Sequence, residues 1–352
     1  MKPRKKTRKI RVGKVEIGGR TPISVQSMTN TDTRDVRATA AQIRKLEKAG
    51  CEIVRLAVPD ETAASALHAI VPKARIPVIA DIHFNYRLAL KSIDAGVDGI
   101  RINPGNIGGK KRLGDVVRKA ADHDISIRIG INAGSLEKDL LKKYGHPTAD
   151  ALAESALRNI ALVEAMAFKQ IKISIKSSSV PTTIDAYRLI SKKSRYPLHL
   201  GVTEAGTFFS GTIKSAIGIG VLLEEGIGDT IRVSLSADPV EEVRVGHAIL
   251  RCLGLRQRGP EIISCPTCGR KQIDVINLAA KVEKKLAGVA APIKVAVMGC
   301  EVNGPGEAKE ADIGIAGSKH IGILFKKGKI IRKCPKGALL EEFMKEIDAF
   351  TY

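Results

Sequence analysis

The sequence contains no tryptophan, and aromatic residues make up only 3% of its 352 positions. Aromatic rings are the main platforms on which proteins stack single-stranded bases, so the composition argues against a nucleic-acid partner. Long apolar runs are also missing, since no stretch reaches the roughly 20 residues that a membrane-spanning helix requires. We therefore expect a soluble, cytoplasmic protein without a membrane partner.

Acidic residues are scarce, because 37 Asp and Glu residues stand against 58 Lys and Arg residues, for a net charge of +21. Residues 1–14 contain eight of the basic residues and no acid, and the apolar segment of a signal peptide does not follow. We predict that residues 1–14 form a solvated basic arm. A general basic bias explains most of the remaining excess. Otherwise the charge favours an anionic ligand, and a small phosphorylated molecule fits better than a nucleic acid.

Cysteine is also sparse, with six residues distributed unevenly along the chain. In a long sequence without a signal peptide, this clustering argues against a disulfide framework and favours a metal or redox site. Cys51 precedes an apolar run and Cys252 lies in a helical pattern, so we interpret both as small core residues. The other four are Cys265, Cys268, Cys300 and Cys334.

Up to residue 255, short β-rich runs alternate with longer segments of helical spacing. Eight such units in about 250 residues are typical of an α/β fold of the (β/α)8 TIM-barrel type, which we assign to residues 15–255. A doubly wound open sheet is the alternative, but the first units lack a convincing dinucleotide-binding fingerprint. The predicted strands are 23–27, 53–57, 78–81, 99–103, 126–131, 171–175, 198–202 and 230–235.

Glycine, arginine and proline interrupt this alternation at residues 254–260, so we place a domain boundary there. A chain of this length is expected to form two domains, and residues 260–352 are predicted to be a small α+β domain. Its predicted elements are strands at 262–264 and 294–298, a helix at 274–286, a hairpin of 321–325 with 329–332, and a terminal helix from about residue 337.

Charged residues end the predicted barrel strands, where barrel enzymes place their chemistry. A cation in an apolar strand is costly unless a counter-charge compensates it. The acids Asp81 and Glu204 cannot neutralise five cations, so we predict that the cations converge on one polyanion. Backbone N–H groups of residues 103–109 and 132–135 could bind the same phosphates. The five cations are Arg55, Arg101, Arg128, Lys176 and Arg232.

Two histidines lie in the barrel strands or directly after them. His83 follows a strand end. Its position is equally consistent with a role in the site and with no such role. His199 lies in the middle of a predicted strand, and we interpret it as a hydrogen-bonded core residue.

The segment Cys265-Pro266-Thr267-Cys268 places two thiolates on one tight turn, and Cys300 follows a later predicted strand. Three thiolates in this arrangement suit either a zinc ion or an iron–sulfur cluster, and the residues alone leave the two nearly equal. The fourth ligand also stays open between Cys334 and an oxygen donor such as Glu307.

Linked motifs in matching order resemble the 4-hydroxy-3-methylbut-2-enyl diphosphate synthase family, which acts in the methylerythritol phosphate route to isoprenoids. The resemblance runs from Val12 to about Glu342, without an insertion between the two predicted domains, as in the shorter bacterial form. The motifs are SVQSMTNT (24–31), DIHF (81–84), RINPGN (101–106), GINAGSL (130–136), GVTEAG (201–206), GIGDT (226–230), CPTC (265–268) and NGPGE (303–307).

The resemblance implies a TIM barrel followed by a small iron–sulfur domain, with a [4Fe–4S] cluster on Cys265, Cys268 and Cys300. Glu307 is then an exchangeable fourth ligand, and Cys334 has no ligand role. The implied reaction is the ring opening and dehydroxylation of 2-C-methyl-D-erythritol 2,4-cyclodiphosphate to (E)-4-hydroxy-3-methylbut-2-enyl diphosphate. It consumes two electrons and two protons.

The resemblance also assigns partners and further residues. Glu204 is implied to be the proton donor near the reacting carbons. A flavodoxin or a ferredoxin is implied as electron donor, and a homodimer in which the cluster domain of one subunit caps the barrel of the other. Lys176 is preferred to Lys172 because it lies at the strand end. The implied diphosphate contacts are Arg55, Arg101, Asn103, Arg128, Asn132, Lys176, Arg232 and Ser234.

Two other functions compete with this interpretation. One is a zinc-stabilised barrel enzyme that performs aldol or isomerase chemistry on a sugar phosphate, and a zinc-containing colourless protein would favour it. The other is a non-enzymatic protein that binds RNA through its basic arm, which steep salt dependence of RNA binding would indicate.

Overall fold

The structure is a computed structural model that describes residues 2–300, 308–318 and 320–351. Its contacts divide the chain into two compact units, residues 1–256 and residues 257–352. No helix within the described ranges is both long enough and apolar enough to span a bilayer.

The first unit is built on eight parallel strands, and one or two helices follow each strand. These strands are β3 (Ser24–Met28), β4 (Ile53–Ala57), β5 (Val78–Asp81), β6 (Gly99–Ile102), β7 (Ser126–Asn132), β8 (Ile171–Lys176), β9 (His199–Leu200) and β10 (Thr230–Ile231). They lie in the order β8-β7-β6-β5-β4-β3-β10-β9, and a parallel bridge between Ile173 and Leu198 joins the two ends of the sheet. This ring confirms the predicted (β/α)8 barrel.

The helices of the first unit surround this ring. They are α1 (Val36–Ala49), α2 (Glu61–Ile70), α3 (Tyr86–Asp94), α4 (Lys110–Asp122), α5 (Lys138–Tyr144), α6 (Ala149–Glu164), α7 (Val180–Lys193), α8 (Phe208–Glu224) and α9 (Pro239–Cys252). Local signals define their ends. The Asp35 side chain accepts from the Ala38 N–H at the start of α1, and Gly50 ends that helix with φ 97°.

Each barrel strand alternates between apolar and polar side chains. On β8, Ile173 and Ile175 belong to the apolar core that the sheet shares with the helices. The residues between and beside them, Lys172, Ser174 and Lys176, are buried as well. Because successive side chains of a strand point to opposite faces, these polar residues lie on the inner face of the barrel. The apolar core therefore lies between sheet and helices, and the barrel interior carries charge.

The amino-terminal segment differs from the expected solvated arm. β1 (Ile10–Val12) and β2 (Val15–Ile17) form an antiparallel hairpin. Its residues Ile10, Val12 and Ile17 cluster with Ile53 and Ile79, which lie at the amino-terminal ends of their strands. The hairpin therefore seals the bottom of the barrel with apolar side chains.

Polar contacts hold the chain that precedes this hairpin. Arg4 Nη2 lies 3.3 Å from Asp229 Oδ1, and the buried Thr7 hydroxyl donates to the same oxygen at 2.9 Å. The Lys2 N–H donates to the Glu224 carbonyl at 2.9 Å. These anchoring contacts could not be predicted from the sequence, because a run of lysine and arginine usually indicates a solvated segment.

Two barrel strands are shorter than predicted. β9 and β10 end at Leu200 and Ile231 rather than at residues 202 and 235. Beyond them the backbone builds loops at the carboxyl end of the barrel. The Leu235 N–H donates to the Glu242 carboxylate at 3.1 Å, and the Ser236 N–H donates to the Gly206 carbonyl at 2.9 Å.

The second unit is a five-stranded sheet with two helices. Its elements are β11 (Glu261–Ser264), α10 (Val275–Leu286), β12 (Lys294–Met298), β13 (Ile313–Gly317), β14 (Ile321–Lys326), β15 (Lys329–Pro335) and α11 (Leu339–Thr351). The strands follow chain order across the sheet, with β11 to β13 parallel and β13 to β15 antiparallel.

Strand β13 is absent from the sequence prediction because glycines weaken its β pattern. The structure gives both glycines a packing reason. A Cβ on Gly314 would lie 2.3 Å from the Phe325 ring, and a Cβ on Gly317 would lie 2.0 Å from Ile273. The glycines therefore allow the close approach of neighbouring side chains.

Candidate active site

A cavity of about 480 Å³ opens at the carboxyl ends of the barrel strands. This is the end of a TIM barrel at which the strand-to-helix loops form active sites. Both loops that were predicted to bind phosphate contribute to its wall. Among the sequence-predicted residues, His83, Arg101, Asn103, Asn132 and Glu204 line it.

Asp81, at the end of β5, is the centre of a buried ion-pair network. Arg101 Nη1 lies 3.1 Å from Asp81 Oδ1, and Arg55 Nε lies 3.4 Å from Asp81 Oδ2. Burial opposes ionisation of the carboxyl, but Arg55 and Arg101 outweigh it and hold the pKa of Asp81 below its usual value. The network therefore fixes two guanidinium groups before any ligand arrives.

His83 extends this network to the cavity wall. Its Nδ1 lies 3.4 Å from Arg101 Nη1, and its Nε2 lies 4.0 Å from Asp81 Oδ2. The side chain is 60% exposed, so it can contact a ligand and the network together. Of the two interpretations left open by the sequence, this position favours a role in the site.

Arg232, which follows β10, pairs with an acid on a neighbouring helix. Its Nη2 lies 3.2 Å from Glu242 Oε1 of α9, and the Ser27 hydroxyl donates to Glu242 Oε2 at 2.9 Å. Glu204, which the sequence offered as a possible counter-charge, has no ion pair within the described ranges, and Glu242 is the acid that pairs with Arg232. Acids in the first turn of a helix usually indicate only a favourable interaction with the helix dipole. The pairing of Glu242 with Arg232 was therefore not predicted from the sequence.

Arg128 and Lys176 have no acidic partner within 4 Å among the described residues. Arg128 Nε and Nη1 also lack a hydrogen-bond partner there. Burial, followed by the charges of Arg232 and Arg55, lowers the pKa of Lys176 well below its ordinary value. An anion bound in the barrel would neutralise this excess of positive charge. The excess of cations over acids in the sequence leads to the same prediction.

Two glycines make room for the side chains of Arg101 and Lys176. A Cβ on Gly130 would lie 2.3 Å from Arg101 Nε, and a Cβ on Gly201 would lie 2.9 Å from Lys176 Nζ. Real Cβ atoms do not approach other atoms this closely, so a larger residue at Gly130 would displace Arg101, and one at Gly201 would meet the Arg232 carbonyl oxygen at 2.5 Å as well as Lys176.

Gly130→Ala therefore tests whether the placement of Arg101 matters for anion binding. We expect the affinity for inorganic pyrophosphate, measured by isothermal titration calorimetry, to fall by roughly 10- to 100-fold, since small misplacements of a clamp are expensive. Gly134→Ala is the matched control, because that glycine also lines the cavity but a Cβ there meets nothing within 4 Å. Equal affinities of the two variants would show that Arg101 does not bind the anion.

Glu204 lies on the cavity wall with φ 51°, in the left-handed region. Residues with a side chain adopt this region rarely, and such strain concentrates at functional sites. Its carboxylate is exposed and accessible to a ligand. Ser234, two residues beyond Arg232, is half-buried and is not among the residues that line the cavity.

Two asparagines complete the polar wall. The Asn103 side-chain oxygen accepts from the Gly105 N–H at 3.2 Å, which shapes the loop after β6. With its amide group turned to satisfy its neighbours, Asn132 accepts from Arg101 Nη2 at 3.2 Å and donates to the Ile131 carbonyl. His199 is buried, and its Nδ1 lies 2.5 Å from a threonine hydroxyl, as expected for a core residue.

The second unit contains the cysteine site. Cys265, Cys268 and Cys300 line one cavity of about 80 Å³ together with Arg270 and Lys271. All three are free thiols. The predicted fourth ligand, Glu307, lies outside the described residues.

The donor set of this cavity fits an iron–sulfur cluster. A [4Fe–4S] cluster binds each cysteine through a different iron, so its ligands surround a cavity instead of converging on one point. The Gly299 N–H donates to Cys265 Sγ at 3.1 Å, the kind of N–H···S contact that tunes such clusters. In the part of the chain that the structure describes, no three His, Cys, Asp or Glu side chains form a group that could hold a metal ion.

The other cysteines lie elsewhere. Cys334 is packed in an apolar cluster of the second unit, and burial raises its pKa, which is unfavourable for a thiolate ligand. Burial raises the pKa of Cys51 to about 12, as expected for a core thiol. The interpretation of Cys252 as a core residue is wrong, because this last residue of α9 is exposed.

Comparison with protein families identifies both units. The GcpE TIM-barrel domain matches residues 7–247, and the GcpE protein C-terminal domain matches residues 261–349. The chain belongs to the GcpE family. Members of this family are [4Fe–4S] oxidoreductases, so the chain is an iron–sulfur enzyme whose cofactor is a [4Fe–4S] cluster.

Similar proteins include two bacterial enzymes named 4-hydroxy-3-methylbut-2-en-1-yl diphosphate synthase (flavodoxin). The Desulfotalea psychrophila protein is 60% identical over 98% of this chain and 95% of its own length. The Geobacter sulfurreducens protein is 60% identical over 97% of both chains. A solved 3-dehydroquinate dehydratase from Geobacillus kaustophilus has a TM-score of 0.51 and 15% identity, over 70% of this chain and 97% of that chain. The last similarity concerns the fold alone.

Proposed function

We propose that the chain converts 2-C-methyl-D-erythritol 2,4-cyclodiphosphate to (E)-4-hydroxy-3-methylbut-2-enyl diphosphate. The reaction opens the ring and removes a hydroxyl group as water, and it uses two electrons and two protons. The observation that carries the proposal is a barrel interior with more cations than acids, in a chain whose second unit gathers three cysteines around one cavity. The names of the relatives support the same product.

The barrel would hold the diphosphate by charge and by fixed geometry. Arg55 and Arg101 are oriented by Asp81 before the ligand arrives, so little entropy is lost when their N–H groups meet phosphoryl oxygens. Arg128 supplies positive charge that no described acid neutralises, and Lys176 supplies it once the bound anion stabilises its ammonium form. The remaining proposed contacts are Asn103, Asn132, Arg232 and Ser234.

We assign the proton-donor role to Glu204. Its carboxylate lies on the cavity wall, and its exposure allows it to take up a proton from solvent after each turnover. The strained backbone at this residue, with Gly206 close behind at φ 113°, fixes the direction in which the side chain leaves the loop.

Cys265, Cys268 and Cys300 would hold the [4Fe–4S] cluster, and we propose Glu307 as the fourth ligand. When bound, the cluster would supply electrons and a Lewis-acidic iron. A carboxylate ligand such as Glu307 would dissociate from that iron more readily than a thiolate. Arg270 and Lys271 at the cavity offset the negative charge of the thiolates.

The proposed electron donor is a flavodoxin, and a ferredoxin is the alternative. The printed names of the relatives specify a flavodoxin for those enzymes. We also propose a cytoplasmic location, because cysteines that bind a cluster must stay reduced, and the described cysteines form no disulfide.

We further propose that the enzyme is a homodimer that uses an apolar stripe on α8. Phe209, Ile213 and Ile217 follow one another at four-residue spacing, and they are 76%, 44% and 50% exposed. Side chains with this spacing lie on one face of a helix. A contiguous apolar stripe on a strongly charged protein favours a protein partner over solvent, and a second copy is the partner that the family resemblance implies.

The double variant Phe209→Lys/Ile213→Lys should convert the dimer to a monomer, because it places charges in the apolar contact. Light scattering after size-exclusion chromatography measures the mass. Leu162→Lys, at an exposed apolar position of α6 in the barrel unit, is the control and should leave the mass unchanged. A monomeric native protein, or a double variant that stays dimeric, would contradict this interface.

Anaerobic turnover tests the reaction itself. The purified protein, reconstituted with iron and sulfide, is mixed with a flavodoxin-reducing system and the cyclic diphosphate, and the products are identified by mass spectrometry. The linear hydroxymethylbutenyl diphosphate is the expected product. Bound cyclic diphosphate that remains unconverted by a fully loaded and reduced protein would contradict the proposed function.

A further inference from the structure

Deep in the barrel interior lies a set of buried side chains that each have at least one polar atom without a hydrogen-bond partner in the described part of the chain. Gln26 of β3, Arg128 of β7, Lys172 of β8 and His199 of β9 belong to it. Each is at most 1% exposed. Lys172 Nζ is entirely without a partner, although an ammonium group carries three donors. Lys172 has no role in the function proposed above.

Lys172 lies next to another uncompensated cation. It is the register partner of Arg128 on the neighbouring strand, and both side chains lie on the inner face. Among the described residues, the three buried acids of the first unit are already engaged, Asp81 by two arginines, Glu242 by Arg232 and Asp229 by Arg4. A charged Lys172 would therefore be a buried ammonium without a counter-charge, which is costly unless an anion is present.

The titratable groups recorded near Lys172 among the described residues are basic. They are its register partner Arg128 on the adjacent strand β7, Lys176 on the same strand, His199 on β9, and Arg55 on β4, which is not adjacent to β8. Burial, followed by the charge of Arg55, lowers the pKa of Lys172 to about 7. Burial, followed by Lys176 and Lys172, lowers the pKa of His199 well below its usual value, so it stays neutral. The apolar hairpin residues that seal the barrel bring no counter-charge from below.

We propose that Lys172 is a positioning residue that is a neutral amine in the empty barrel and takes up a proton from solvent when a diphosphate binds. The inference rests on the proposed function, because it deepens the description of the same diphosphate site. The negative charge of the ligand supplies the missing counter-charge and makes the ammonium form stable. Ligand binding and proton uptake are therefore coupled.

The coupling has a defined size and sign. At pH 8 a group with a pKa of about 7 is roughly nine-tenths unprotonated, so Lys172 should contribute close to one proton per diphosphate bound. Because the proton must be taken from solvent, affinity should decrease as the pH rises above 7, by up to about tenfold per pH unit from this residue. Lys176 can add to the uptake, so the difference between variants is the quantity to measure.

Isothermal titration calorimetry of the cluster-loaded protein measures this difference. Inorganic pyrophosphate and the cyclic diphosphate are each titrated at pH 8 in two buffers with different ionisation enthalpies. Lys172→Met should take up close to one proton fewer than the native protein while still binding. Lys172→Arg, which is permanently charged, should show the same loss of uptake with strong binding retained. Lys192→Met, at an exposed position of α7, should behave as the native protein.

A second readout needs no ligand. In protein labelled with ¹³C at the lysine ε-carbon, one resonance should titrate near neutral pH and should be missing in Lys172→Met. A Lys172 resonance that titrates in the ordinary lysine range would overturn the proposal. Binding with equal proton uptake in the native protein and Lys172→Met would overturn it while leaving the function intact. Absence of binding by either anion would contradict both.

Discussion

Glu204→Gln should lower kcat by about 10²- to 10⁴-fold while leaving the affinity for the cyclic diphosphate within a few-fold of native. The reason is that glutamine keeps the size and the hydrogen-bonding capacity of the side chain but cannot deliver a proton, and general acid catalysis is worth about this factor. The left-handed backbone at this position is retained by the surrounding loop, so the exposed amide should occupy the same place. Anaerobic steady-state kinetics and calorimetry measure the two quantities.

The matched control is Glu283→Gln, at an exposed position of α10 in the second unit, which should have native kinetics. A Glu204→Gln enzyme that loses affinity and keeps kcat would show that the carboxylate binds substrate and transfers no proton. A variant with native kcat and native affinity would remove Glu204 from the mechanism altogether.

Cys300→Ser should abolish turnover, with a decrease of at least about 10³-fold, because the hydroxyl of serine is a poor replacement for a thiolate ligand of iron. The iron and sulfide content and the visible absorbance of the reconstituted protein should fall with it. Binding of pyrophosphate by the barrel should persist, since the cations that we assign to it belong to the other compact unit.

Cys252→Ser provides the control for this change, because Cys252 is a free and exposed thiol on α9 of the barrel unit. It should retain iron, colour and turnover. Full iron content and activity in Cys300→Ser would contradict the assignment of the cluster ligands, and a protein loaded with zinc alone that still turns over would contradict the cofactor.

The sequence predicts those parts of the barrel that depend on local patterns. Strand alternation is a period-two property of the chain, so it shows that Arg55, Arg101 and Arg128 lie on polar faces of otherwise apolar strands. The ends of β4 and β5 match their predicted bounds because branched apolar runs are flanked there by turn residues. The positions of the cations therefore follow from the sequence.

The partners of those cations do not follow from the sequence, because they come from distant segments. Glu242 meets Arg232 only after α9 has packed on the barrel, and no local pattern distinguishes it from its half-buried neighbour Glu241. The hairpin at residues 10–17 depends in the same way on long-range contacts with Ile53 and Ile79. The excess of cations over acids in the barrel could therefore be predicted from the sequence, whereas the role of Glu242 as partner of Arg232 could not.

A crystal structure of the anaerobically prepared enzyme with the cyclic diphosphate tests the central claim most directly. It should show the phosphoryl groups in the barrel in contact with Arg101 and with Arg128 and Lys176, which have no acidic partner among the described residues. It should also show Cys265, Cys268 and Cys300 bound to separate irons of one cluster. A diphosphate bound outside the barrel, or a single zinc ion between the cysteines, would contradict the account.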